Sequence, residues 1–183
     1  TVTLVNTDAH NNAGASGGGV YVGGTSTVNF SADSDIYDNT GSAGAGLIVY
    51  GTLVGSDSSS DIYGNDSTSD GGGIYVSGGT VSLNNADVVA NTAVGSGGGI
   101  YLTNGAIATL QNSVFVGETG PCCQTAANGA GIYATGSQVN ILGFQVFPGV
   151  DMVTDELVLD TPSGWNADDV AALVVAGKQV ILV

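Results

Sequence analysis

The chain has 183 residues, and its 16 acidic side chains against a single Lys or Arg give a formal net charge of −15. Nucleic-acid binding and attachment to anionic lipid both need clustered Lys and Arg, so this balance excludes them. Glycine fills 31 positions, and no apolar run is long enough to insert in a membrane as a helix.

Thr1-Val2-Thr3-Leu4-Val5-Asn6 alternates polar and apolar residues and reads as a first strand. It starts at residue 1 with no signal peptide or initiator Met, as expected of a processed or excised chain. Ala9-His10-Asn11-Asn12 follows, then Gly17-Gly18-Gly19-Val20-Tyr21. Both motifs return along the chain. The glycine-led one recurs at Gly44 to Ile48, Gly71 to Tyr75, Gly97 to Tyr101 and Gly129 to Tyr133, at spacings of 27, 27, 26 and 32 residues. The other recurs at Ile36 to Asn39, Ile62 to Asn65, Val88 to Asn91 and Phe115 to Glu118, at spacings of 27, 26, 26 and 27. Self-similarity at this period marks a repeat architecture.

Residues 80 to 106 show the unit most plainly. Thr80-Val81-Ser82-Leu83-Asn84 is a half-buried strand, Asn85-Ala86 turns the chain, and Asp87 to Asn91 is a second short run. Thr92 to Ser96 reads as a small-residue turn, and Gly97 to Gly99 leads into the strand Ile100-Tyr101-Leu102. Three short strands per 26 or 27 residues describe one coil of an all-β, right-handed parallel β-helix of about six coils. One coil cannot bury its apolar side chains alone, whereas stacked coils close a continuous core. Stacking predicts an inward aliphatic column through Leu4, Leu83 and Leu110. It also predicts a ladder of Asn12, Asn39, Asn65 and Asn91, whose amides can bond from coil to coil. The glycines permit positive φ and leave room for close backbone at a corner.

Further along, Gly117-Glu118-Thr119-Gly120-Pro121 lengthens the fifth coil and leads to the adjacent pair Cys122 and Cys123. Their Cα atoms sit about 3.80 Å apart, below the usual disulfide range. Two thiols, a strained disulfide between neighbours and bridges to another subunit all stay open, with an oxidised role expected. A sixth coil runs from Gln138 to Gly149, closing the repeat domain at 1–149. Residues 150–183 form a capping or coupling segment. It holds a strand at Glu156 to Leu159, then a helix capped by Asn166 with Asp168 and Asp169 in its first turn and Gly177 as its stop. An apolar strand, Lys178 to Val183, follows with no obvious strand of its own repeat to pair with.

The paired motifs, GG-x-aliphatic and [aliphatic or aromatic]-x-x-Asn, resemble the repeats of the polymorphic outer-membrane-protein type over roughly residues 1 to 149. Ala9 and Glu118 depart from that pattern. The resemblance implies a right-handed parallel β-helix, an extracellular or cell-surface location, and adhesion-type or structural roles.

Some solenoids of this shape are enzymes, yet the lone Lys178 has no motif around it and His10 no nucleophile beside it. Paired-carboxylate hydrolysis needs two acids at a set separation, whereas Asp33, Asp35, Asp38, Asp57, Asp61, Asp66 and Asp70 fall in turns or point outward, so no catalytic residue is expected. No cofactor is expected either, with calcium at Asp57, Asp61 and Asp66 the one metal candidate. A threonine column at Thr25, Thr52 and Thr80, of the kind that binds ice, is interrupted by Ile107. Two readings remain. In the first, the chain is a self-assembling structural subunit, a homopolymer joined through Thr1, Val2, Thr3, Leu4 and Val5 at one end and Val180, Ile181, Leu182 and Val183 at the other. In the alternative it is an adhesin stalk that meets host surfaces or a surface polysaccharide.

Overall fold

The computed structural model describes residues 1–112 and 125–142, together with the backbone of the strands Met152–Val153, Glu156–Leu159 and Gln179–Leu182. The chain winds into stacked coils whose strands pair only with their counterparts one coil away, always in parallel. Its four faces are sheets. Face A holds eight strands: Val2–Val5, Thr27–Ser31, Thr52–Gly55, Thr80–Asn84, Ile107–Gln111, Gln138–Leu142, Glu156–Leu159 and Gln179–Leu182. Face B stacks Ala9–His10, Ile36–Tyr37, Ile62–Tyr63 and Val88–Val89, and face C stacks Ala13–Gly14, Thr40–Gly41, Asp66–Ser67 and Thr92–Ala93. Face D holds six: Val20–Val22, Leu47–Val49, Ile74–Ser77, Ile100–Thr103, Ile132–Ala134 and Met152–Val153. The fold is an all-strand parallel β-helix, with no helix among the described residues.

The core is a set of aliphatic columns. On face A, Leu4 pairs with Phe30, Phe30 with Gly55, Gly55 with Leu83, Leu83 with Leu110 and Leu110 with Ile141, so the Leu4, Leu83 and Leu110 positions share one inward column. The Phe30 ring fills the space above Gly55, where an added Cβ would stand 2.5 Å from the ring. Ile36, Ile62 and Val88 line face B, and Leu47, Ile74, Ile100 and Ile132 line face D, all buried. Each such side chain contributes about 1.5–3 kcal/mol on leaving water. Only neighbouring coils supply that burial.

The asparagine column fixes the corner between faces B and C. Asn65 Oδ1 accepts from the Asn39 backbone N–H at 3.1 Å and from Asn39 Nδ2 at 2.9 Å. Asn65 Nδ2 donates to the Ile36 carbonyl and to Asn91 Oδ1, both at 2.9 Å. Asn39 makes the equivalent four bonds, to Asn12, Ala9 and Asn65. Every donor and acceptor site of these two amides is thereby used. Asn39, Asn65 and Asn91 are fully buried, whereas Asn12, with a neighbour on one side only, is exposed.

The glycine motif exists because the asparagines need space. A Cβ on Gly19, Gly46 or Gly73 would lie 2.8–2.9 Å from Nδ2 of Asn39, Asn65 or Asn91 in the next coil. It would also stand 2.7, 2.5 and 2.7 Å from the carbonyl oxygens of Gly46, Gly73 and Gly99. The leading glycine of each motif, from Gly17 to Gly129, has φ between 55° and 66°, a region that L side chains rarely adopt. The two sequence columns keep one period because they touch.

Three expectations change. Thr92–Ala93 is a fourth short strand and not part of a turn, since its backbone pairs with Asp66–Ser67 of the coil before. The threonine column runs through Thr27, Thr52 and Thr80 and then Ile107, so Thr25 is not in it. A constant period misplaces it because the corner between faces D and A takes four residues at Gly23 to Ser26 but only Tyr50 and Gly51 one coil later. Finally, Gln179–Leu182 does have a partner, pairing in parallel with Glu156–Leu159. That strand begins 23 residues upstream, off the 26-to-27-residue spacing, so the repeat pattern does not point to it. Val183 and the expected helix at 166–176 lie outside the described residues.

Asn65→Ala removes four buried hydrogen bonds, those to the Asn39 N–H and Nδ2, the Ile36 carbonyl and Asn91 Oδ1, and should lower stability by about 1–3 kcal/mol or more. Gly73→Ala should cost more than Gly105→Ala. A Cβ at Gly105 meets nothing within 4 Å, and only its φ of 74° opposes the change, at about 1–2 kcal/mol. Urea unfolding of the three variants checks the order.

Candidate interaction surfaces

Coil-on-coil register aligns outward side chains as strictly as inward ones. Four aspartates spaced 27, 26 and 26 residues apart (Asp8, Asp35, Asp61 and Asp87) form a ladder at the entry to face B. Asp8 Oδ1 accepts the Asp35 backbone N–H at 3.1 Å, Asp35 Oδ1 that of Asp61 at 2.9 Å, and Asp61 Oδ1 that of Asp87 at 3.1 Å. Hydrogen bonding therefore offsets the cost of stacking like charges. Even so, burial, together with the neighbouring charges of Asp35 and Asp57, raises the Asp61 carboxyl above its ordinary value of 3.8, although the Asp87 N–H pulls the other way.

Two residues after each of the first three aspartates stands an aromatic ring. His10 stacks on Tyr37 at 4.7 Å and 4°, and Tyr37 on Tyr63 at 4.9 Å and 1°. His10 is thus a surface stacking residue, with the Asn11 amide 2.8 Å from its Nδ1. Face D carries a second stack, where Tyr75 lies 5.1 Å from Tyr101, and Tyr101 lies 5.4 Å from Tyr133. Tyr21 and Tyr50 extend it, 5.7 Å apart and tilted by 47°.

Of the aspartates named as enzyme or calcium candidates, Asp35 and Asp61 are neighbours in the ladder and Asp57 lies near enough to act on Asp61, but the rest stand apart. Asp57 sits in the turn between faces A and B, accepting from the Ala32 N–H and from Ser59 N and Oγ. Slight burial works to raise its pKa, but these bonds, with Ser60, hold it below the usual range. Asp61 belongs to the ladder, and Asp66 lies exposed on face C, opposite Thr40 and Thr92. Asp33 has a φ of 58° in a turn, Asp38 has a φ of 52° beside the ladder asparagine, and Asp70 accepts the Ser96 N–H at 2.8 Å. No three His, Cys, Asp or Glu among the described residues are grouped to hold a metal ion. Cys122 and Cys123 lie outside those residues. Val2 and Leu4 occupy inward columns of face A, and Val180 and Leu182 continue the same register on its last strand. Sequence reasoning missed the aspartate ladder, although its period was present. Reading acids as local clusters, and not down the 26-to-27-residue columns, hid it.

Residues 2–143 match the family described as periplasmic copper-binding protein (NosD). The chain belongs to the NosD family. No curated protein and no solved structure matches it. Among the described residues, no helix is long and apolar enough to cross a membrane. Copper favours imidazole and thiolate or thioether donors, and His10, engaged in its ring stack, has no second such ligand beside it among the described residues. The described residues do not fit a copper site.

A carboxyl whose folded pKa is raised weakens the fold at neutral pH, and the fold regains stability as pH falls through the raised value toward 3.8. Asp61→Asn keeps an oxygen for the Asp87 N–H and should be more stable than the parent at pH 7. That advantage should fade below about pH 4. Melting curves of both proteins between pH 3 and 7 check the sign.

Proposed function

We propose that this NosD-family solenoid is a non-enzymatic structural protein of the cell envelope or exterior, a rigid repeat rod that copies of itself extend end to end. The observation that carries this reading is the pair of outer strands on face A. Val2–Val5 and Gln179–Leu182 lie at opposite edges of one parallel sheet, each with a single strand neighbour among the described residues. Unpaired strand edges accept further strands. If Gln179–Leu182 of one copy pairs in the same parallel register with Val2–Val5 of the next, Val180 meets Val2 and Leu182 meets Leu4, continuing both apolar columns. Val2 and Val5 are 56% and 51% exposed, so covering them removes apolar surface from water. A head-to-tail contact of this kind propagates into a filament.

The family description as periplasmic supports a location outside the cytoplasm. A structural role fits the aspartates, which serve as hydrogen-bond acceptors for backbone of the next coil. The adhesin alternative rests on polysaccharide contact. Sugars stack on open ring faces, whereas Tyr37 lies between the rings of His10 and Tyr63 and Tyr101 between those of Tyr75 and Tyr133, which leaves the tilted pair Tyr21 and Tyr50 as the rings such a contact would need.

Electron microscopy and sedimentation of the purified chain should show rods that lengthen with concentration. Val2→Glu, which places charge at an exposed position of the edge, should give folded, shorter species. A protein that stays monomeric at high concentration sinks the reading, as do rods indifferent to Val2→Glu. No cleavage of acidic or neutral polysaccharide with calcium present is expected. Turnover that disappears in Asp35→Asn or Asp61→Asn would replace the structural role with an enzymatic one.

A further inference from the structure

The sequence holds two Asn-Gly pairs, Asn104–Gly105 and Asn128–Gly129, and the fold places them in unlike surroundings. Asn104 and Gly105 open the corner between Ile100–Thr103 of face D and Ile107–Gln111 of face A. Their φ angles are 58° and 74°, the paired left-handed conformations that Asn-Gly adopts with least strain in a tight turn. Both residues are exposed, and a Cβ on Gly105 would meet nothing within 4 Å. Asn128 is exposed as well, but Gly129 is buried. A Cβ there would stand 2.4 Å from the Ile132 carbonyl oxygen and 3.0 Å from the Tyr133 Cβ.

This difference bears on a reaction that asparagine undergoes without an enzyme, in which the backbone nitrogen of the next residue attacks the side-chain amide carbon. A glycine in that place leaves the approach unobstructed, because it has no Cβ. At Asn104 two hydrogen bonds must open first. Nδ2 donates to Ser77 Oγ at 2.9 Å, and the Gly105 N–H donates to the Gly136 carbonyl at 2.8 Å. Gly136 is exposed too, so water can take over these bonds and little is lost on opening. At Asn128 the peptide that must turn is held by the Gly97 N–H, which donates to the Asn128 carbonyl at 3.0 Å, and Gly129 is crowded by backbone. The ladder amides of Asn39, Asn65 and Asn91 are buried and bonded between coils.

We propose that Asn104–Gly105 is the site at which the folded chain converts asparagine to aspartate and isoaspartate, whereas Asn128–Gly129 is protected by its corner. The Gly105 nitrogen bonds to Asn104 Cγ and gives its proton to solvent, and Nδ2 leaves as ammonia, closing a cyclic imide. Water then opens the ring. Addition at Cγ yields aspartate. Addition at the backbone carbonyl yields isoaspartate, in which the chain runs through Cβ and Cγ and is one atom longer. The sum is hydrolysis of a single amide, with no oxidant or reductant, and the product is negatively charged at neutral pH. The Ser77 hydroxyl, which accepts from the amide, can donate to the aspartate carboxylate. The extra backbone atom of isoaspartate falls in a corner whose length already varies. Between faces D and A it takes four residues at Gly23 to Ser26, two at Tyr50 and Gly51, and three at Asn104 to Ala106. The modified coil therefore keeps its strands in register.

Peptide mapping by mass spectrometry tests this, after the whole purified chain has been held in mildly alkaline buffer. In the folded chain, acid at position 104 should accumulate at least tenfold faster than at Asn128 or at any ladder asparagine. In concentrated urea, where the corners no longer pack, the two Asn-Gly pairs should convert at similar rates. The converted chain should still melt cooperatively once returned to neutral buffer. Asn128 converting as fast as Asn104 in the folded chain overturns the inference. So does a folded chain in which neither pair converts while the chain in urea converts both. Loss of cooperative melting on conversion overturns the claim that this corner absorbs the change.

Discussion

The corner where an asparagine amide meets a glycine of the preceding coil is the contact on which the stack depends. Each interior asparagine satisfies two donors and two acceptors with three different partners spread over the coils above and below. A short two-residue strand on either side could not hold the corner by its own backbone bonds. The amide does so only if the adjacent chain has no Cβ there, which is why Gly19, Gly46 and Gly73 are glycine. Unmade buried hydrogen bonds are expensive, so the ladder works as a register lock. A coil displaced by one residue would strand several polar groups at once.

Once register is locked, every outward column is locked too, whatever its chemistry. That explains how an unfavourable arrangement such as four stacked carboxylates can persist. The backbone N–H of each following coil compensates the charge, and the apolar columns inside carry the net stability. Aromatic stacks arise in the same way, from a Tyr or His repeated at the strand spacing. The surface is therefore a printed copy of the repeat. Its sides differ because eight of the nine aspartates at 8–87 fall on faces B and C or in the turns flanking face B, whereas tyrosines stand on both B and D.

Membership of a family described as copper-binding sits beside a chain with one histidine and, among its described residues, no gathered ligands. The shared property is the solenoid, which positions side chains in columns and leaves their identity to each sequence. Here the columns are asparagine, aspartate and tyrosine. Those residue types hold coils together and present surfaces, and that is the chemistry the proposed structural role uses.

Period, residue type and the alternation of Thr80 to Asn84 determined by themselves that the chain coils, that Leu4, Leu83 and Leu110 stack, and that the asparagines return at one place in each turn. Those features are local or strictly periodic, so one dimension is enough to see them. The tertiary structure alone decided the rest. It placed Thr27 and not Thr25 in the threonine column, because corner length varies between coils without altering the strands. It joined Gln179–Leu182 to Glu156–Leu159 off the regular period. It also brought Asp8, Asp35, Asp61 and Asp87 into one ladder, because which side of a solenoid a residue occupies depends on where each corner bends the chain, and that is a property of packing between coils.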